Sequence, residues 1–218
     1  MPLFMPEFLQ DMSARQSDIQ PLLYLASASP RRRELLTQLG LAYQVLPQDI
    51  DESRRPEESA AAYVGRMARE KAAAALQDAG YVQALPVLAA DTSVVCDGMI
   101  LGKPDNLEAL VTMLGLLSGR RHEVMTAVSV QKTGHEATQV VSSRVSFRNI
   151  THDEMLAYWH TGEPRDKAGG YAIQGLGAMF VSALEGSYSA VVGLPLFETM
   201  QLLGEFGIEA RAVLEAYT

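Results

Sequence analysis

The chain has 218 residues, 48% of them hydrophobic and 20% charged, and a net charge of −8; this is the balance of a globular protein and argues against a broad nucleic-acid surface. Its single cysteine, Cys96, excludes an intrachain disulfide and a cysteine-rich zinc site, so nothing calls for an oxidising compartment. No apolar run approaches the ~20 residues that span a bilayer, and the opening residues lack a basic segment ahead of an apolar core, so no membrane association and a cytoplasmic location are expected.

Residues 1–20 mix Phe4, Phe8 and Met12 with prolines and polar residues and are expected to be an N-terminal extension, either a short docking helix or a frayed tail, ahead of a single domain over 21–218. Leu22–Ala26 has the length and composition of a buried strand. Ser27-Ala28-Ser29-Pro30 then reads as a turn, with Ser29 as N-cap and Pro30 as first residue of a helix to Leu39, closed by Gly40. Where the helix opens, free amides and the helix dipole favour an anion by roughly 0.3–1 kcal/mol per charge interaction, and Arg31 and Arg32 add planar donors suited to phosphate. The alternative is a serine that merely caps a helix with solvated arginines. Neither G-x-x-x-x-G-K-[ST] nor G-x-G-x-x-G occurs, so a glycine cradle is excluded.

Tyr43–Leu46 is a second expected strand, followed by the polar connector Gln48–Pro56. A helix is expected from Pro56 to about Ala79, with Gly80 as its stop. Val87–Cys96 is the most apolar strand and a candidate for the centre of the sheet, yet Asp91 interrupts it. A buried carboxylate is costly unless it is paired or bound to a cation, so Asp91 marks either a functional acid or a bend that exposes it. Lys71 and Lys103, the latter in Gly102-Lys103-Pro104, could each reach phosphate or lie solvated. Asn106–Leu117 reads as helix, and Glu123–Gln131 and Ala137–Phe147 as an antiparallel hairpin about Lys132-Thr133-Gly134-His135. Thr151 and Glu154 form a capping box for helix His152–His160. The stretch Glu163 to Gly175 packs charges, glycines and Gln174 without periodicity, as binding loops and soluble connectors both do. A strand near Met179–Leu184 and a helix Leu196–Phe206 complete an α/β alternation over a mixed sheet. The four histidines show no metal-binding or triad spacing.

Taken in order, Ser27-Ala-Ser-Pro-Arg-Arg, Arg69-Glu-Lys71-Ala, Ala90-Asp91-Thr92, Gly102-Lys103-Pro104, Ser118-Gly119 with His122-Glu-Val-Met-Thr126, and Glu163-Pro-Arg-Asp-Lys-Ala-Gly closely resemble the Maf family over roughly Leu22 to Phe206. The resemblance implies an elongated, twisted mixed α/β sheet flanked by helices, similar to inosine triphosphate pyrophosphatases and usually dimeric. It implies hydrolysis of a nucleoside triphosphate to the monophosphate and pyrophosphate with a divalent cation, Mg²⁺ or Mn²⁺. The run Asp166-Lys167-Ala168-Gly169 with Tyr171-Ala-Ile-Gln174-Gly175 is similar to the dTTP and UTP branch, and the cysteine-containing loop of the 7-methyl-GTP branch is absent.

By matched position, Asp91 would be the proton acceptor, and Arg31, Thr92 and Gln174 would set substrate specificity. Glu52 is a plausible second metal carboxylate beside Asp91, although Asp49 and Asp51 stand next to it. Ser27, Ser29, Arg32, Lys71, Lys103 and Lys167 would serve the polyphosphate, the cations stabilising charge on the leaving group. Gln174 offers both a donor and an acceptor, as the O4 and N3–H edge of uracil or thymine requires. Such an enzyme would limit pyrimidine triphosphates, modified ones included. Two other readings stand beside it: a pyrophosphatase of noncanonical purine triphosphates, and a nucleotide-binding regulator of septum formation, which would have little use for Asp91.

Overall fold

The computed structural model describes residues 20–81 and 84–215, so Met1 to Ile19 of the expected extension lie outside the described residues. The first strand, β1 (Leu23–Leu25), is followed by α1 (Pro30–Gln38), β2 (Tyr43–Val45), α2 (Ala60–Leu76), β3 (Val87–Cys96) and β4 (Met99–Leu101). Then come α3 (Leu107–Leu117), β5 (Arg121–Lys132), β6 (His135–Phe147) and α4 (His152–His160). Three short 3₁₀ turns, β7 (Val181–Glu185), α5 (Tyr188–Val192), α6 (Leu196–Glu205) and α7 (Ala210–Glu215) complete the described chain.

Among the described residues the strands form one mixed seven-stranded sheet in the order β2-β1-β3-β5-β6-β7, with β4 folded back onto the end of β3. The pairs β1–β2 and β1–β3 are parallel, while β3–β5, β5–β6 and β6–β7 are antiparallel. This is the expected mixed α/β class. Apolar residues lie on both faces of β1. Leu23 and Leu25 join Leu36 of α1 and Leu202 and Leu203 of α6 in one cluster, while Tyr24 and Ala26 join Ala72 and Ala75 of α2 in another. A strand covered on both sides reads as a continuous apolar run rather than an alternation.

Strand β3 runs through all of this. Its first half, Val87–Ala90, belongs to those two clusters, and Val94 and Cys96 belong to a third, built on α3, α4 and Phe147. Asp91 and Thr92 fall where one packing region gives way to the next, and they alone in the strand are only partly buried. The break between cores is what opens a cavity against β3.

Several boundaries differ from expectation for local reasons. The helix expected from Pro56 starts at Ala60, because Ser59 takes the N-cap position, accepting the Ala62 N–H at 3.2 Å, and Glu57 has a left-handed φ of 58°. Ser29 has the extended backbone of an N-cap but makes no side-chain cap hydrogen bond. The strand expected near Met179 begins two residues later, since Leu176–Phe180 wind as a 3₁₀ turn. β4 and α5, at three and five residues, are too short to leave a periodicity. The capping box at Thr151 and Glu154 forms as expected.

Candidate functional site

A cavity of about 690 Å³ lies over the middle of β3, and its lining includes Ser27, Ser29, Arg31, Arg32, Glu52, Lys71, Asp91, Thr92, Lys103, Lys167 and Gln174. The residues expected above to serve substrate or metal are thus brought to one place from six separate segments. Its volume suits a nucleotide-sized ligand.

The floor is charged. The Lys71 ammonium, from the buried face of α2, contacts Asp91 Oδ1 at 2.8 Å and Glu52 Oε1 at 2.6 Å. Lys71 and Asp91 are 12% and 13% exposed and Glu52 54%, so the aspartate is the inner carboxylate and the glutamate the outer. Burial works against charge on Glu52, but the Lys71 hydrogen bond, with Lys71, Lys103 and Arg32 close by, holds its carboxyl below its usual value. Asp51 turns instead to Ser53, whose N–H it accepts at 2.9 Å, so of the neighbouring acids only Glu52 lines the cavity.

Glu52 lies on a segment with no regular structure, and α2 holds that segment by its backbone. The Tyr63 hydroxyl donates to the Glu52 carbonyl at 2.9 Å, and Arg66 Nη2 donates to the Ser53 carbonyl at 2.9 Å. Arg66 also grips both Glu58 oxygens at 2.7 Å and keeps that carboxyl at about 2. Sequence reasoning missed Tyr63 and Arg66, which on an amphipathic helix look like core edge and solvated face.

The β1–α1 turn supplies the next wall. Arg32 is held on three sides, donating from Nε to the Gly193 carbonyl at 2.9 Å, from Nη1 to Ser27 Oγ at 3.1 Å and from Nη2 to Thr92 Oγ1 at 3.4 Å. The Thr126 hydroxyl donates to the Ala190 carbonyl at 2.7 Å, so at the 3.0 Å contact between the two threonines Thr92 is the donor. Thr92 therefore gives its one proton to Thr126 and accepts from Arg32, which makes it an orienter of that guanidinium. Gly193, with φ of 135°, is 161 residues from Arg32 and left no local signal. Burial lowers the pKa of both arginines, opposed at Arg32 by Asp91 and at Arg31 by Asp166. The uncapped start of α1 leaves first-turn amides to the cavity.

Across from α1, the Gly169 N–H donates to the Gly102 carbonyl at 2.9 Å, joining the loops that carry Lys103 and Lys167. A Cβ at Gly169 would meet Val94 at 2.9 Å, and one at Gly170 would meet Leu110 at 2.5 Å, which is why both positions are glycine. Lys167 pairs with Asp166. Beyond them Gln174 Oε1 is buried without a hydrogen-bond partner among the described residues, and Tyr171, whose hydroxyl lies 2.8 Å from His122 Nε2, also lines the cavity.

The donor set fits a hard divalent cation. Two carboxylates already converge on one positive centre, the Lys71 ammonium, and oxygen ligands of this kind suit Mg²⁺ or Mn²⁺. Among the described residues no group of three or more acids, histidines or cysteines gathers at one point, so phosphate oxygens and water would complete the coordination.

A family model described as Maf-like protein matches residues 22–206. The dTTP/UTP pyrophosphatase of Vibrio parahaemolyticus serotype O3:K6 is 52% identical over 187 residues, covering 84% of this chain and 96% of that protein. That of Hahella chejuensis is 52% identical over 188 residues, with 86% and 93% covered. The enzyme of the same name from Colwellia psychrerythraea is 48% identical over 203 residues, with 92% and 95% covered.

Proposed function

The chain belongs to the Maf-like protein family, and from that membership we propose that it hydrolyses dTTP and UTP, and modified pyrimidine triphosphates of the same edge pattern, to the monophosphate and pyrophosphate. The observation that carries the reading is Asp91: a carboxylate set into a strand that is otherwise largely buried, bonded to Lys71 and facing a cavity ringed by Arg31, Arg32, Lys103 and Lys167. A pure phosphate binder gains nothing from an acid there, whereas hydrolysis needs one.

In this reading Arg31, Arg32, Lys103, Lys167 and the open amides of α1 bind the triphosphate and hold it still. Asp91 takes the proton of a water whose oxygen bonds to the α-phosphorus, while the bond from that phosphorus to the bridging oxygen breaks and pyrophosphate leaves. Lys71 and Arg32 stabilise the charge that gathers on the leaving oxygens. Glu52 and Asp91 would hold a Mg²⁺ or Mn²⁺ ion, which when bound neutralises phosphate charge and lowers the pKa of water. Gln174 Oε1, buried and unpartnered, would accept N3–H of uracil or thymine, and its amide nitrogen would donate to O4.

The proposal includes residues 21–218 as one catalytic domain, homodimerisation, to be checked by light scattering, and a cytoplasmic location; among the described residues no helix is long and apolar enough to cross a membrane. The reaction is tested by incubating the protein with Mg²⁺ or Mn²⁺ and dTTP, UTP, CTP, ITP or 7-methyl-GTP, with pyrophosphate and orthophosphate measured separately. Pyrophosphate from dTTP and UTP is expected. Orthophosphate alone, or a panel led by ITP, would overturn the reading.

A further inference from the structure

Glu163 takes no part in the chemistry above, yet it is the most heavily engaged acid of the loop that carries Gln174. Its Oε1 accepts the Tyr158 hydroxyl at 2.7 Å and the Gly177 N–H at 2.9 Å, and its Oε2 accepts the Leu176 N–H at 2.9 Å. Tyr158 extends the grip, its oxygen accepting the Ala172 N–H at 3.2 Å. Gln174 sits between these held amides, two residues after one and two before the next. Burial, and then the Glu163 carboxylate, push the Tyr158 hydroxyl well above its ordinary value, so it stays a donor at neutral pH.

The glycines of the loop are shaped to this acid. A Cβ at Gly175 would lie 2.3 Å from Glu163 Oε2, and one at Gly177 would lie 2.7 Å from the Tyr158 oxygen and 2.8 Å from the Ala172 carbonyl. Only a carboxylate offers enough lone pairs to accept three donors at once; a carboxamide of the same shape turns an N–H₂ toward one of them.

A glutamine amide also has a particular weakness as a reader of bases. Uracil presents an N3–H donor and an O4 acceptor, cytosine the reverse, and a half-turn of the amide converts a match for one into a match for the other. Discrimination therefore needs the amide held in one orientation by the groups around it, and at the right distance from the base by a backbone that does not shift. Gln174 Oε1 is buried with no hydrogen-bond partner among the described residues, so its distance from a base edge rests on the backbone that carries it.

We infer that Glu163, braced by Tyr158, is a positioning residue for base selection: it fixes the backbone on both sides of Gln174 so that the amide meets a uracil or thymine edge and not a cytosine edge. The inference rests on the dTTP and UTP reading and adds the device that enforces it.

The test is kcat/KM for UTP and for CTP with Mn²⁺, on full-length wild type, Glu163→Gln and Tyr158→Phe, with the thermal midpoint of each recorded. Glu163→Gln is expected to lower the UTP to CTP ratio by about tenfold or more, the loss falling on UTP, as small misplacements of a contact group do. Tyr158→Phe should move the ratio the same way by less, since Glu163 keeps its two amides. An unchanged ratio, or equal losses on both nucleotides, overturns the inference and leaves Glu163 a purely structural brace. A wild type with no preference for UTP over CTP instead overturns the base assignment itself, and the role of Glu163 with it.

Discussion

At one end of the cavity Arg31, Arg32, Lys71 and Asp91 stand on α1, α2 and β3, whereas at the other Gln174 stands on a stretch with no strand and no α-helix. The first end takes its geometry from packing: α1 and α2 are pinned to the sheet by Leu36, Ala72 and Ala75, so residues at their ends and inner faces arrive already placed. The second end has no helix or strand beneath it: Tyr171 and Ile173 pack on the core, and the backbone on either side of Gln174 is held by hydrogen bonds to Tyr158 and the Glu163 carboxylate. Attraction between charges falls off slowly with distance and tolerates small errors, while a hydrogen bond to a base edge is lost within a fraction of an ångström. The looser device therefore carries the more exacting contact, and it needs the brace.

That contrast says which changes should affect all substrates alike and which should sort them. The largest effect is expected for Asp91→Asn, with pyrophosphate release falling about 10²–10⁴-fold on UTP and CTP alike and their ratio kept, as for loss of a general base. If the ratio moved instead, Asp91 would belong to base recognition. Lys71→Met should follow with about 10²–10³-fold lower kcat/KM, again without sorting the bases, because it removes a cation and leaves Asp91 and Glu52 facing each other. Arg66→Met frees the Ser53 carbonyl and removes the Arg66 bonds to Glu58, so the Glu52 segment loses one of its two holds on α2 and keeps only Tyr63. Titration calorimetry with Mn²⁺ and a non-hydrolysable UTP analogue should show affinity about tenfold weaker, with the UTP to CTP ratio again preserved.

The smallest expected effect belongs to the wall beside Gln174. Burial against Phe147 and Tyr171 lowers the His122 pKa to about 4, and its Nδ1 has no hydrogen-bond partner among the described residues. Between about 6.5 and about 4 the unfolded chain carries a proton that the folded chain does not, so stability falls as pH is lowered through that window. From pH 7 to pH 6 the loss is about 0.7 kcal/mol. Urea midpoints at the two pH values should show it in the wild type and not in His122→Phe. The Glu58 carboxyl, held at about 2 by Arg66, acts in a lower window, its contribution present above about 4.3 and lost as pH falls toward 2.

Much of the site was legible because its residues break local rules. Asp91 interrupts an apolar strand, Ser27 to Arg32 places a turn and two arginines at a helix start, and Lys103 sits between a glycine and a proline. Each violation is visible within a few positions. Tyr63 and Arg66 break no rule, since an aromatic and an arginine three apart suit any half-buried helix, and their partners Glu52 and Ser53 come from the preceding connector. Glu163 looked like one more charge in a polar loop. The nearest local sign of its role was Gly175 and Gly177, whose missing side chains make room for the carboxylate and its tyrosine.

The sequence by itself determined the mixed α/β class, the buried central strand with its single acid, the hairpin of β5 and β6, and a set of cations suited to polyphosphate, because period, turn chemistry and charge are properties of short segments. Only the tertiary structure decided that Glu52 and not Asp51 reaches Lys71, that Thr92 and Ser27 orient Arg32, that Ser29 leaves the α1 amides uncapped, and that Glu163 holds the Gln174 loop. Most of those outcomes depend on groups meeting across the chain, from 13 residues between Glu163 and Leu176 to 60 between Arg32 and Thr92, and the Gly193 carbonyl that also holds Arg32 is 161 residues away. A hydrogen bond is settled by positions to within tenths of an ångström, which packing fixes and local pattern does not.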